Sequence, residues 1–113
     1  MDFKVILSQL FVSDLKEIVA TLAERAGVEV ASRLGNELLD RALAIGPNPF
    51  IGQPVKGRPG TRKVLRYSYL IFYDVDQTQG TVEVLRVWHA HRDPKTLHLE
   101  DRKPSHPKVC KPP

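Results

Sequence analysis

The sequence predicts an α+β fold: an N-terminal strand, a helical hairpin, then a small, mainly antiparallel sheet. The order is β-α-α-β-β-β, with a short C-terminal helix and a proline-rich tail to follow. Three observations predict it. Between Ser8 and Gly46, apolar residues recur at helical spacing and are interrupted at Gly27. Between Arg62 and Val87, three runs rich in β-branched and aromatic residues are separated by short polar turns. Glycine and proline crowd the stretch that joins these two regions.

Phe3-Lys4-Val5-Ile6-Leu7 is short, apolar and partly β-branched, as a strand requires. Ser8 is placed to cap the following helix by accepting from its first-turn N–H groups, and Ser13 is a second candidate cap. Leu15, Ile18, Val19 and Leu22 form the apolar face of that helix. Gly27 should end it in the left-handed conformation. In the second helix Val30, Ala31, Leu34, Leu38, Ala42 and Ile45 form one stripe. Gly35 inside this helix is expected to let the first helix approach closely. Gly46-Pro47-Asn48-Pro49 stops the helix, and residues 46–60 read as a surface loop carrying Lys56 and Arg58 outward. Strands are expected over Arg62–Arg66, Tyr69–Val75 and Val82–Val87, the last two joined across Asp76–Gly80 as a hairpin. A short helix is possible from Leu97 to Glu100. One domain should span residues 1–103, with 104–113 a flexible tail rich in proline and lysine.

Composition narrows the function. Hydrophobic residues make up 42% and charged residues 27%, ordinary for a globular domain and unlike a disordered chain. The single cysteine, Cys110, excludes a disulfide scaffold. No signal-peptide pattern or membrane-length apolar run is present, so a cytoplasmic protein without a membrane partner is expected. Net charge is +4, unevenly distributed. Residues 1–45 hold five Lys/Arg and seven Asp/Glu, a formal −2; the remaining residues hold twelve and six, a formal +6. Such a basic half suits an anionic partner, either nucleic acid or an acidic protein segment, or else is a solvated surface. His98 and His106 lack a second pair at ligand spacing, so no metal and no cofactor is expected.

Several motifs occur in a fixed order. Phe3–Ser8 is followed by Asp14-Leu15-Lys16-Glu17-Ile18, then Pro49-Phe50-Ile51-Gly52, then Tyr69–Asp76, Val82–His89 and Arg92-Asp93-Pro94. Together they resemble the RelE/ParE superfamily of type II toxins, over roughly residues 2–100, and most resemble its ParE-like branch. The resemblance implies a small α+β toxin neutralised by a cognate antitoxin, whose acidic segment would suit the basic half. An exposed strand edge is one route for such a segment to add to the sheet.

The superfamily implies two activities. A ParE-like member inhibits DNA gyrase and needs a binding surface; a RelE-like member cuts mRNA on the ribosome and needs a base, an acid and fixed positive charge at the phosphate. The position matching a RelE-like phosphate-holding arginine is Leu70, which can supply neither charge nor proton. The gyrase reading is therefore preferred, with Arg62, Arg66, Arg86, His89 and Arg92 as the contact surface for target or antitoxin. Under the nuclease reading the set is Arg66, Tyr69, His89 and Arg92. A third reading is a non-toxic relative that only binds its antitoxin. Tyr67, Tyr69 and Tyr73 recur at strand period, which more often serves packing than catalysis. Trp88 reads as core or interface, and His89 as a packed strand end or a titrating group near neutrality.

Overall fold

The computed structural model describes residues 2–90. Strand β1 (Lys4–Leu7) leads into helices α1 (Gln9–Ala26) and α2 (Val28–Leu43). Strands β2 (Gln53–Pro54), β3 (Thr61–Arg66), β4 (Tyr69–Asp76) and β5 (Thr81–His89) follow. The five strands form one sheet in the order β1-β5-β4-β3-β2. All neighbours are antiparallel except β1 and β5, which run parallel with Lys4 opposite Thr81 and Leu7 opposite Val84. The helical hairpin provides the crossover that a parallel pair needs. The expected helix near Leu97 and the Pro/Lys tail lie outside the described residues.

Ser8 caps α1: its Oγ accepts from the N–H of Phe11 at 3.0 Å. The same hydroxyl donates to the carbonyl of Leu85 at 2.8 Å, so it also ties the helix start to β5. Ser13 lies within α1 and is not its cap. Ser8→Ala removes both bonds and is expected to cost about 1–2 kcal/mol, measurable as a lowered denaturant midpoint. Gly27 ends α1 and starts α2. Its N–H donates to Ala23 at 3.0 Å and its carbonyl accepts from Ala31 at 3.1 Å. It has φ +98° but an extended ψ of 159°, not the left-handed helical conformation expected. At Gly35 a Cβ would lie 2.8 Å from Val19 Cγ2, which is the close helix approach the sequence predicts.

The core joins Phe11 of α1, Leu38 and Ala42 of α2, Ile45, and Val64, Ile71, Tyr73, Val82, Val84 and Val87 of the sheet. Val30, expected on the buried stripe of α2, is 43% exposed. A second cluster of Phe72, Leu85 and Trp88, with Val55 and Leu70 against it, forms on the other face of the sheet. A β-bulge decides which β5 residues serve which cluster. Phe72 pairs with Arg86 but Tyr73 pairs with Val84, so Leu85 is the extra residue. Simple alternation would send Arg86 to the core beside Val82 and Val84. The bulge sends Val87 there instead.

The residues between α2 and β3 are not purely loop. Gln53 pairs with Lys63 and Pro54 with Arg62, giving β3 a short neighbour. Two residues are enough to cover part of an edge but too few to show a strand pattern in sequence. Among the described residues, no helix is long and apolar enough to cross a membrane.

Candidate functional site: a basic sheet end and its hairpin tip

Cross-strand register assembles three of the predicted residues. Arg66 on β3 faces Tyr69 on β4, and Tyr69 faces His89 on β5. Directly opposed residues share a face, so the three form a row across one end of the sheet. Tyr69 is half-buried against the core, and its ring meets the His89 imidazole edge to face, with centroids 5.2 Å apart. Beside them runs a cleft of about 230 Å³ between this sheet end and α1, whose polar wall includes Asp14, Glu17, Thr21 and His89. Among the described residues lining it there is no lysine or arginine.

The other predicted cations are engaged elsewhere. Arg86 forms a two-pronged pair with Asp14 of α1: Nε to Oδ2 at 2.7 Å and Nη2 to Oδ1 at 2.8 Å. Asp14 Oδ2 also accepts from the N–H of Val87 at 3.3 Å. The carboxylate thus occupies part of the β5 edge past the end of β1. Arg62 donates to the carbonyls of Gly52 at 2.6 Å and Phe50 at 3.4 Å, and its guanidinium lies over the Phe50 ring. It holds the 50–52 loop in place. Arg92 lies outside the described residues.

Tyr73 shares that task. Its ring is fully buried, its hydroxyl donates to Pro49 O at 2.8 Å and accepts from Gly52 N–H at 2.9 Å. Burial pushes its pKa above the ordinary phenol value. Tyr67 departs from the shared face predicted for the three tyrosines. It sits in the two-residue β3–β4 turn with φ +55°, and is 57% exposed. Its hydroxyl donates to Glu37 Oε1 of α2, which also accepts from Arg66 Nη2 at 2.8 Å. The Arg66 guanidinium in turn lies 4.5 Å from the Tyr67 ring centroid. Glu37 was not singled out in the sequence, because nothing local marks a helix-surface glutamate as the partner of a turn some 30 residues away.

This clasp responds to pH. The Tyr67 hydroxyl, and after it Arg66, hold the Glu37 carboxyl below its ordinary 4.5, while the same bond raises the Tyr67 phenol. A depressed carboxylate stabilises the fold above its unfolded pKa, and that contribution is lost as pH falls through the folded value. Tyr67 ring resonances followed by NMR should therefore shift with a midpoint below 4.5; a midpoint at or above it would show no clasp in solution.

Against this geometry, the family comparison is decisive. Residues 5–94 match the family model described as the ParE toxin of the type II toxin–antitoxin system parDE. The chain belongs to the ParE toxin family. Solved structures agree on the fold of this ParE-family chain. It is similar to a chain of the chromosomal ParDE system of P. aeruginosa, with TM-score 0.69 and 17% identity over 79% of this chain and 97% of that one. A chain of the RelBE2 toxin–antitoxin complex of Mycobacterium tuberculosis gives TM-score 0.62 and 22% identity over 79% and 99%. A mutant of E. coli toxin RelE in the free state gives 0.58 and 19% over 80% and 86%. Among curated proteins, none matches the sequence.

Proposed function

We propose that this ParE-family chain is the toxin of a type II pair, neutralised by a cognate antitoxin, and that it acts by binding and inhibiting DNA gyrase. The observation that carries the choice of target is Leu70. The position that the superfamily resemblance assigns to a phosphate-holding arginine is a leucine packed against Phe72, Leu85 and Trp88. Cleavage of a ribose-phosphate backbone gathers negative charge in its transition state, which fixed cations must offset. In the cleft beside Tyr69 and His89, Asp14 is already paired with Arg86, Glu17 opposes a phosphate, and no lysine or arginine is among the described lining residues. A binding protein needs no such cation, so the same arrangement suits an inhibitor.

The groove between the helices, lined by Leu15, Val19, Ala20 and Leu39, suits the apolar face of an amphipathic antitoxin segment. Pairing on the β3 edge is limited. In an antiparallel ladder alternate residues turn their N–H and C=O outward. Thr61 does so, as its bond from Val55 shows, and β2 covers Lys63. Only Leu65 remains on that edge.

Expression of the toxin without its antitoxin tests the choice. Gyrase inhibition should induce the DNA-damage response while translation continues. Immediate translation arrest with intact chromosomes would instead favour the mRNA-cleaving reading and direct mutagenesis to Arg66, Tyr69, His89 and Arg92.

A further inference from the structure

The β3–β4 turn is built at a cost that its own contacts do not explain. The turn has two residues, Tyr67 and Ser68, between the paired Arg66 and Tyr69. Its first position has φ +55°, a conformation that favours glycine or asparagine and costs other residues on the order of 1–2 kcal/mol. A tyrosine stands there. Its side chain is held by the Glu37 carboxylate at one end and by the Arg66 guanidinium over the ring. Yet more than half of the residue stays in water, and Leu65 two residues earlier is 58% exposed. Little apolar burial offsets the strain. What the arrangement achieves is an exposed aromatic group at a hairpin turn, held in one orientation by Glu37 and Arg66.

From this we infer that the turn formed by Leu65, Arg66 and Tyr67 is the element by which the toxin contacts its protein target, with the Tyr67 ring entering an apolar recess and Arg66 meeting carboxylates at its rim. Immobilised tyrosine beside arginine is the residue pair that dominates protein interface energetics, and an ordered side chain loses less entropy on binding. The surrounding charge favours protein over nucleic acid. Glu37 and Asp40 balance Arg41 and Arg66 in the shallow cleft beside the turn, and a patch with no net charge does not draw a phosphate backbone. Position separates target from antitoxin: none of Leu65, Arg66 and Tyr67 lines the interhelical groove assigned above to the antitoxin segment. This inference rests on the reading of the chain as an active toxin.

The test compares wild type with Tyr67→Asn, which removes the ring at a position where asparagine tolerates the positive φ. Three quantities are read: growth arrest on expression, the concentration that half-inhibits gyrase supercoiling, and co-purification with the product of the adjacent antitoxin reading frame. The variant should melt no lower than wild type and bind that product normally. It should lose growth arrest and inhibit gyrase at least about tenfold more weakly, the cost of one interface anchor. Full growth arrest by the variant would overturn the inference, as would loss of antitoxin binding in step with toxicity. Hydrogen exchange on the wild-type toxin gives a second reading that needs no variant to fold. Slowed exchange at residues 65–68 on adding gyrase supports the contact; unchanged exchange, or the same slowing by plasmid DNA alone, overturns it. If wild type arrests growth without inhibiting gyrase, the gyrase reading fails and growth arrest alone judges Tyr67. If wild type arrests nothing, both fail.

Discussion

Asp14→Ala is expected to destabilise the fold by about 3 kcal/mol, the usual loss when one member of a largely buried ion pair is removed. For a domain of this size that lowers the melting temperature by more than about 10 °C. The side chains of Arg86 and Asp14 are only 14% and 13% exposed, and both prongs of the guanidinium are used. Without the carboxylate, Arg86 loses both of its hydrogen bonds to Asp14, and the Val87 N–H loses its acceptor. Arg86→Ala should cost a similar amount. Replacing both together, Asp14→Leu with Arg86→Met, should recover most of the stability, because paired apolar groups leave no orphaned charge. The triplet also separates folding from contact. Arg86 is one of the cations predicted to meet a partner. If the doubly substituted protein folds and arrests growth, Arg86 serves the fold alone; if it folds but is inactive, Arg86 also serves the contact. Equal melting temperatures for wild type and Asp14→Ala would show that the pair is not formed in solution.

The second large effect is Gly52→Ala, expected to cost about 3 kcal/mol, the upper end for overpacking a tight site. A Cβ at this position would lie 2.6 Å from the Lys63 carbonyl oxygen and 2.7 Å from the Tyr73 hydroxyl. Neither can retreat easily: the first belongs to the β2–β3 ladder and the second to a fully buried ring. Tyr73→Phe keeps the ring and leaves Gly52 N–H and Pro49 C=O without their partner, which should cost about 1–2 kcal/mol. Chemical denaturation of both variants checks the order. A Gly52→Ala midpoint no lower than that of Tyr73→Phe would mean that the 49–52 turn relaxes freely. Loosening this turn also releases Arg62 from the carbonyls that hold it.

Much of the fold could be read from sequence because periodicity and punctuation agreed. Ser8, Gly27 and the Gly46-Pro47 stop bracket two helices whose apolar stripes face the sheet. The sheet was legible from its β-branched runs, and the family resemblance from the order of those same elements. What sequence reasoning missed depends on register or on distant partners. Alternation along Val82-Glu83-Val84-Leu85-Arg86-Val87 cannot reveal the bulge that exchanges Arg86 for Val87 in the core. Tyr67 looked like a strand tyrosine because its spacing to Tyr69 and Tyr73 is even; the turn that removes it from the strand is two residues long and contains no glycine. Arginines read as a free basic surface proved individually committed: Arg62 to loop carbonyls, Arg66 to Glu37 and Arg86 to Asp14. Composition reports the charge of such groups but not its partner, and those partners lie between 10 and 72 positions away.

The gyrase reading is tested most directly with purified toxin, freed of antitoxin, added to gyrase with supercoiled DNA and, in parallel, to a programmed ribosome with mRNA. Trapped gyrase–DNA cleavage complexes with intact mRNA are the predicted result. Site-specific mRNA cuts with normal gyrase turnover would contradict it, and would mean that a leucine at position 70 does not preclude the nuclease chemistry.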